Sequence, residues 1–441
     1  MKTLVLTFFF TIISAFAADK PNIIFIMADD LGYRDLGCYG QKLISTPSLD
    51  KMAVEGMMFT SCYSGSTVCA PSRSVLMTGQ HTGHTTVRGN MGKGGVKGLG
   101  GANGRIPLKA EDITIAEVLK KEGYVTGMTG KWGLGEPNTS GEPNEQGFDE
   151  FFGYLNQRRA HHYYVNYIWK NKEKYPLEGN KKTHGPHYTH DLFADFALDF
   201  IKKNKDKPFF LYLPYCIPHD AYEVPSQGIY KDKKWKEDEK NFAAMVTRMD
   251  EDLGEMFDLL KKLNIDSKTI VFFCSDNGAA KRWEGRFDSS GELTGRKRSM
   301  YEGGTRVPMI VRWPGKISAG KVSDAPWAFW DVLPTLADIA GASTPKNIDG
   351  VSVLPTLKGE KQDLADRYFY WEFFEGGYKQ AVRWRNWKAV IVKNKFELYD
   401  LNEDISEKNN LASQKPELVK QFKTYLKTCR TESEYWPLKK K

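Results

Sequence analysis

Pro21-Asn22-Ile23-Ile24-Phe25-Ile26-Met27-Ala28-Asp29-Asp30-Leu31-Gly32 joins an unbroken apolar run to two adjacent carboxylates. A short run without polar residues is typical of a strand buried on both faces, as in the parallel sheets of α/β proteins. Open α/β sheets form their ligand sites at the carboxyl ends of the strands. The segment therefore predicts a central strand, with Asp29 and Asp30 at the edge of the sheet where a site forms.

A second apolar run, Thr269-Ile270-Val271-Phe272-Phe273-Cys274-Ser275, ends in Asp276-Asn277-Gly278. Adjacent carboxylates repel each other unless a cation lies between them, and hard oxygen ligands suit Ca²⁺ or Mg²⁺. Each pair taken alone is also a common turn. The two strand ends together predict an all-oxygen Ca²⁺ site whose ligands are Asp29, Asp30, Asp276 and Asn277.

The stretch Cys69-Ala70-Pro71-Ser72-Arg73, followed by Ser74-Val75-Leu76-Met77-Thr78-Gly79, places a thiol at the start of a short helix. Pro71 suits the first turn, because the N–H that it lacks would have no partner there. The unpaired N–H groups of a helix start favour an anion, and Arg73 adds a planar fork that can bind an oxyanion. A buried cysteine before a proline-started helix is the simpler interpretation of Cys-x-Pro alone.

The full string resembles the maturation motif of the type I sulfatases, Cys-x-Pro-Ser-Arg with a trailing Thr-Gly. The resemblance implies that a maturation enzyme oxidises Cys69 to formylglycine, whose hydrated aldehyde is the nucleophile. It also implies that Arg73 supports this nucleophile and that Ca²⁺ lies on the four oxygen ligands.

Three further segments are similar to sulfatase motifs. Gly130-Lys131-Trp132-Gly133-Leu134-Gly135 corresponds to Gly-Lys-Trp-His-Leu-Gly, whose Lys and His contact the sulfate; Lys131 matches, whereas Gly133 replaces the histidine. Lys297 begins a match to Lys-x-x-x-x-Glu-Gly-Gly-x-Arg-Val-Pro, at a sulfate-binding position. In the Pro218-His219 element, the resemblance implies that His219 contacts the sulfate and protonates the leaving oxygen. The resemblance thus gives substrate-binding and catalytic roles to Lys131, His219 and Lys297.

Several loops are candidates for contact with the substrate. Arg88 and Asn90 follow the cysteine helix and are candidate sugar contacts. The stretch from Asn156 to Trp169 is rich in aromatic residues, which either stack on sugar rings or pack a long loop against the sheet. Its His161-His162 pair is also a candidate metal site, although such a site needs convergent partners. The loop from Trp371 to Tyr378 could also reach the site.

The N-terminus has the pattern of a secretory signal peptide. Lys2 precedes an apolar run from Leu4 to Phe16 that is too short for a comfortable membrane span, and Ala15-Phe16-Ala17 resembles a cleavage site. We expect residues 1–18 to be removed and the mature protein to be periplasmic or secreted, without a membrane span. The net charge of +8 is compatible with an acidic substrate, but the dispersed basic residues argue against nucleic acid.

The length of 441 residues allows a large α/β domain with a smaller companion. The resemblance implies an alkaline-phosphatase-like fold, a large mixed β-sheet sandwiched by helices, for residues 19–356. From residue 357 to residue 441, short strand patterns and a closing helix from Pro416 predict a small antiparallel α+β subdomain.

The expected activity is hydrolysis of sulfate esters, namely O-sulfate groups on a sulfated glycan. The main alternative is a phosphonate monoester or phosphodiester hydrolase, which uses the same nucleophile. A third interpretation is a non-catalytic glycan-binding protein, in which Gly133 marks a lost site. The sequence leaves open which sugar and which sulfate position are involved.

Overall fold

The computed structural model of the protein describes residues 20–96, 104–364 and 366–438. The expected signal peptide, residues 1–18, lies outside these ranges. The described strands are β1 (Asn22–Ala28), β2 (Met57–Phe59), β3 (Cys62–Tyr63), β4 (Val125–Lys131), β5 (Glu150–Tyr154), β6 (Tyr167–Lys170), β7 (Glu173–Pro176), β8 (Phe209–Pro214), β9 (Thr269–Ser275), β10 (Met309–Arg312), β11 (Lys321–Ser323), β12 (Trp327–Ala328), β13 (Tyr368–Phe373), β14 (Lys379–Trp384), β15 (Trp387–Val392) and β16 (Lys395–Asp400).

The two helices predicted to begin at Cys69 and at Pro416 begin there. None of the described helices combines the length and apolar composition needed to cross a bilayer. The described α-helices are α1 (Pro47–Glu55), α2 (Cys69–Thr78), α3 (Ile115–Lys121), α4 (Thr189–Asn204), α5 (Glu237–Lys262), α6 (Glu302–Thr305), α7 (Val332–Ala340), α8 (Leu354–Leu357) and α9 (Pro416–Tyr425).

Ten strands form one large sheet in the order β11-β2-β10-β9-β1-β8-β4-β5-β6-β7. Strand β1 lies parallel to both of its neighbours, β8 and β9, with Ile23 opposite Phe210 and Ile270. Antiparallel pairs such as β9 with β10 make the sheet mixed. All seven residues of β1 are buried, which confirms the prediction of a central strand covered on both faces.

Helices cover both faces of the large sheet. Because side chains alternate along a strand, Ile23, Phe25 and Met27 pack into one core with α2, α3 and α7. Ile24 and Ile26 pack into the opposite core with α1, α4 and α5. The predicted sandwich of helices around a large mixed sheet is therefore confirmed.

Strands β13 to β16 form a separate antiparallel sheet in sequence order. Helix α9 packs on it, with Phe422 in a small core that also contains Val382 and Leu398. The predicted small antiparallel α+β unit is thus present. The boundary between residues 356 and 357 stays a prediction.

A buried ion cluster connects helix α6 and the short strand β3 to the small C-terminal sheet. Glu302 in α6 accepts hydrogen bonds from the Tyr63 hydroxyl (2.8 Å) and from Lys388 Nζ in β15 (2.7 Å). Lys388 also lies 3.5 Å from Glu407. Burial alone would raise the pKa of Glu302, but Lys388 and Arg306 lower it to about 2. Glu302 therefore stays ionised in the buried cluster because Lys388 and Arg306 lie beside it.

We expect Lys388→Met to lower the free energy of unfolding by about 3–5 kcal/mol, because it leaves the Glu302 carboxylate buried without its main cation. Equilibrium urea unfolding, followed by tryptophan fluorescence, measures the change. Lys395→Met, at an exposed position of β16, is the matched control and should change stability by less than about 0.5 kcal/mol. Equal losses in the two variants would contradict the stabilising role of the cluster.

Candidate active site

The side chains predicted from separate motifs converge at one edge of the large sheet. Asp29-Asp30 follow β1, Asp276-Asn277 follow β9, Lys131 ends β4, and His219 lies beyond the end of β8. These four strands are adjacent and parallel, so their carboxyl ends meet at the same edge. The N-terminus of α2 brings Cys69 to this edge as well.

The two acidic pairs contact each other directly. The Asp30 N–H donates to Asp276 Oδ1 at 3.2 Å, and Asn277 Nδ2 donates to Asp30 Oδ1 at 2.7 Å. Burial and the negative charge of Asp29 raise the pKa of Asp276 to about 6. The buried carboxylates thus repel each other, and a cation between them would relieve that repulsion.

The donor set of this cluster fits Ca²⁺. Asn277 Oδ1 is buried and has no hydrogen-bond partner among the described residues, although leaving such an oxygen unpaired costs about 1–3 kcal/mol. Carboxylate and amide oxygens are the ligands that Ca²⁺ takes in proteins. The four side chains predicted as ligands therefore lie together, with one oxygen still available.

Two buried cations hold the Asp29 carboxylate. Lys131 Nζ donates to Asp29 Oδ2 at 2.6 Å. Arg73 Nη2 donates to Asp276 Oδ2 at 2.9 Å and lies 3.7 Å from Asp29 Oδ2. Burial alone would raise the pKa of Asp29, but Lys131, His219 and Arg73 hold it well below its usual value. Asp29 therefore remains a carboxylate.

Cys69 lies between a carboxylate and an ammonium group. Its Sγ is 3.4 Å from Asp29 Oδ1 and 3.6 Å from Lys297 Nζ. The next N–H of the chain, that of Ala70, donates to Asn90 Oδ1 at 3.2 Å. Helix α2 is buried along its whole length, so the position of the thiol is fixed by packing.

His219 and Lys297 share the Asp30 carboxylate. Lys297 Nζ donates to Asp30 Oδ2 at 2.7 Å, and His219 Nε2 lies 3.4 Å from the same oxygen. His219 Nδ1 is 2.7 Å from Asp220 Oδ1. Burial and the charge of Lys297 oppose protonation of His219, but Asp30, Asp29 and the bond to Asp220 raise its pKa to about 10. His219 Nε2 therefore faces Asp30 and Lys297, while Asp220 holds its Nδ1.

A cavity of about 1210 Å³ opens above Cys69. Both sheets contribute to its wall: the C-terminal unit supplies Glu375, Lys379 and Val392. The predicted approach of the loop from Trp371 to Tyr378 is confirmed by Glu375. This volume is larger than a single sugar ring requires.

One predicted sugar contact is wrong and the other agrees with the structure. Asn90 lines the cavity. Arg88 is buried, where it pairs with Glu372 at 3.0 Å and donates to the carbonyl of Thr431 at 2.8 Å. It therefore fixes the loop to the C-terminal unit and does not meet a substrate.

The stretch from Asn156 to Trp169 mainly packs the protein. Tyr163 and Tyr164 are buried in the core, which favours packing over sugar stacking for these rings. His161 lies against His219, with ring centroids 4.2 Å apart, whereas His162 lies 3.3 Å from Glu223. The paired-histidine metal site is therefore wrong, because the two rings have different neighbours.

Two cavity residues, Arg105 and Gln157, were missed by sequence reasoning. Gln157 belongs to the stretch from Asn156 to Trp169 that was a candidate for substrate contact, but it was not singled out there, and Arg105 lies in no predicted motif. A more specific signal was Gly133, because the histidine that the resemblance places there is missing. Gln157 lies directly over Gly133.

Comparisons with known proteins agree with this architecture. Residues 21–342 match the sulfatase family model, and residues 294–432 match the model of the C-terminal region of N-sulphoglucosamine sulphohydrolase. The dog N-acetylgalactosamine-6-sulfatase is 33% identical over 396 residues, covering 85% of this chain and 72% of that protein. The crystal structure of Ps i-CgsB in complex with k-i-k-neocarrahexaose superposes with a TM-score of 0.81 at 29% identity, covering 95% of each chain. A Bacteroides thetaiotaomicron structure from work on the metabolism of multiple glycosaminoglycans has a TM-score of 0.77 at 26% identity, covering 93% of this chain and 99% of that one.

The ten-stranded mixed sheet covered by helices, with its small antiparallel companion sheet, is an alkaline-phosphatase-like fold. The chain belongs to the sulfatase family, and the protein is a sulfuric ester hydrolase.

Proposed function

We propose that the protein removes O-sulfate groups from a sulfated glycan, using formylglycine formed from Cys69 and a bound Ca²⁺. The observation that supports this most directly is the convergence of Cys69, Asp30, His219 and Lys297 on the wall of one cavity of about 1210 Å³. Relatives of this chain include an N-acetylgalactosamine-6-sulfatase and a protein crystallised with neocarrahexaose, which supports a glycan substrate.

Two groups that the sequence does not encode, formylglycine and Ca²⁺, take part in the proposed reaction. Oxidation of Cys69 to formylglycine by a maturation enzyme would supply a hydrated aldehyde as the nucleophile. Ca²⁺ would bind sulfate oxygens and lower the pKa of that nucleophile. The ion would be held by Asp29, Asp30, Asp276 and Asn277.

The chain's own cations orient the sulfate ester. Arg73 fixes Asp29 and Asp276 relative to the position of the nucleophile. Lys131 and Lys297 offset the negative charge of the sulfuryl group as it is transferred, because buried ammonium groups act strongly in a water-poor site. Removing a charged side chain from water costs free energy unless it gains a partner or serves a function. The proposed roles explain why these three cations lie inside the protein.

His219 gives a proton to the departing sugar oxygen. Its Nε2 faces Asp30 and Lys297, while its Nδ1 is held by Asp220. An alkoxide of a sugar is a poor leaving group, so proton donation at this oxygen contributes strongly to the rate. Export to the periplasm or the medium, where sulfated glycans occur, completes the proposal.

His219→Ala should lower kcat on sugar sulfates by about 10²–10⁴-fold, the usual contribution of a general acid. The loss on 4-nitrophenyl sulfate should be much smaller, because nitrophenolate leaves without a proton. Sulfate release from both substrates measures the difference. His184→Ala, at an exposed position, is the matched control. Equal losses on the two substrates would argue against the acid role.

The proposed function itself is tested by product analysis. The mature protein, with Ca²⁺ present, is incubated with sulfated mono- and oligosaccharides, with phosphodiesters and with phosphonate monoesters, and Cys69→Ala serves as the blank. Sulfate release from a glycan supports the proposal. Cleavage of a phosphodiester to a phosphomonoester, or of a phosphonate monoester to the free phosphonate, without sulfate release favours the alternative hydrolase. Glycan binding without any product favours the non-catalytic interpretation.

A further inference from the structure

Gly133 has a left-handed backbone conformation with φ of +80°, and its Cα is covered by a neighbouring side chain. A Cβ placed on Gly133 would lie 2.6 Å from Gln157 Cγ and 2.8 Å from Gln157 Nε2. Atoms cannot approach so closely, so a side chain at position 133 and the present position of Gln157 exclude each other. Gln157 therefore occupies space that opens only because residue 133 is glycine.

The orientation of the Gln157 amide follows from its neighbour. Gln157 Oε1 accepts a hydrogen bond from Arg105 Nη1 at 3.4 Å. A flipped amide would point its N–H groups at the guanidinium, which can only donate. Nε2 is thereby directed away from Arg105.

Within the described part of the chain, Gln157 Nε2 has no hydrogen-bond partner. The residue is 3% exposed and lines the cavity, yet Nε2 makes no hydrogen bond to any described residue. A buried donor without a partner costs about as much as a lost hydrogen bond. Such a group is expected to be paired in the state in which the protein works.

A chain of contacts connects Gln157 to the position of the nucleophile. Arg105 Nη1 also donates to the main-chain carbonyl of Asn90, and Asn90 Oδ1 accepts from the N–H of Ala70, which follows Cys69. From the other side, Gly133 lies two residues beyond Lys131, which contacts Asp29 at 2.6 Å. Gln157 therefore lies between the contacts that lead through Arg105 to Cys69 and the segment that joins Gly133 to Lys131.

We propose that Gln157 is a substrate-binding residue: its Nε2 donates a hydrogen bond to an oxygen of the sulfate group, in place of the side chain that Gly133 lacks. Arg105 acts as a positioning residue, because it fixes the Gln157 amide without taking its free N–H. The inference rests on the proposed function, since the ligand is the sulfate ester or the sulfate that it releases.

The test uses binding of inorganic sulfate to the Ca²⁺-loaded Cys69→Ala protein, measured by isothermal titration calorimetry. This background removes turnover and makes the result independent of maturation. Two changes are added to it separately: Gln157→Ala, which removes the amide, and Gln157→Glu, which keeps its shape but has no N–H. Gln80→Ala is the matched control, because Gln80 lies outside the cavity and bonds to the carbonyl of Asn347.

Both Gln157 changes should weaken sulfate binding by roughly ten-fold or more, the effect expected for a hydrogen bond to a charged group. Gln157→Glu should be the weaker binder, because its carboxylate also repels the anion. Gln80→Ala should bind as the parent does. Thermal unfolding of each variant verifies that it is folded. If only one of the two Gln157 variants folds, the sulfate affinity of that variant decides the result.

Sulfate affinity within two-fold of the parent in a folded Gln157 variant would overturn this inference. The proposed function would stand in that case, provided that the mature protein releases sulfate from a glycan. If the parent binds no sulfate, the anion pocket is wrong and this inference falls. The product analysis then shows separately whether the proposed function fails with it.

Discussion

Cys69→Ala is expected to lower kcat/KM for sulfate release by at least about a thousand-fold, as loss of a nucleophile does in other hydrolases. We expect this loss because Cys69 lies at the centre of the candidate site: its Sγ is within 3.6 Å of both Asp29 Oδ1 and Lys297 Nζ. No neighbouring hydroxyl or thiol takes part in these contacts. Sulfate release from the best glycan of the panel measures the loss.

Cys38→Ala is the control for the cysteine change. Cys38 is half-buried, and its N–H contacts Asp50 on α1, away from the cavity. Its substitution should leave sulfate release unchanged. Mass spectrometry of the wild-type peptide containing residue 69 shows whether formylglycine has formed. Rates near those of the wild type in Cys69→Ala would refute the proposed chemistry.

Asp276→Asn is expected to cause the second large loss. The change removes one negative charge from the predicted Ca²⁺ ligands, and it weakens the partner of the buried Arg73 Nη2. Breaking such a buried charged pair destabilises the fold by about 3–5 kcal/mol. Separately, loss of a charged ligand weakens the attraction for a divalent cation, so we expect Ca²⁺ affinity and sulfate release to fall together, each by more than about a hundred-fold, which corresponds to about 2.8 kcal/mol of binding free energy.

Calorimetric Ca²⁺ titration and sulfate release are measured on the same preparations of this variant. Treatment of the wild-type protein with a chelator should lower both the rate and the unfolding temperature, and added Ca²⁺ should restore them. Asp288→Asn is the matched control, since Asp288 forms an exposed pair with Arg34. Undiminished Ca²⁺ binding in Asp276→Asn would remove this residue from the ligand set.

The fold was predictable where the chain has unbroken apolar runs that end in polar residues. The apolar residues of β1 and β9 leave no polar face, so both strands had to lie inside a covered sheet. The polar residues that follow these strands then had to meet at one edge, because parallel strands end on the same side. Local patterns and simple geometry were sufficient for these parts.

Loop residues were less predictable because periodicity does not constrain them. Arg88 and Asn90 are two positions apart, yet Arg88 is buried against Glu372 while Asn90 faces the cavity. Their environments depend on how the C-terminal unit packs against this loop, and local sequence patterns do not predict that packing. Gln157 is a similar case, because its role depends on the space above Gly133.

The catalytic floor and the rim of the cavity have different origins. The floor is built at the ends of strands in the large sheet, whereas Glu375 and Lys379 belong to the β13–β14 hairpin region of the small sheet. We therefore expect single substitutions at these rim positions to change which glycan the cavity accepts more than they change the groups proposed to act on the sulfate.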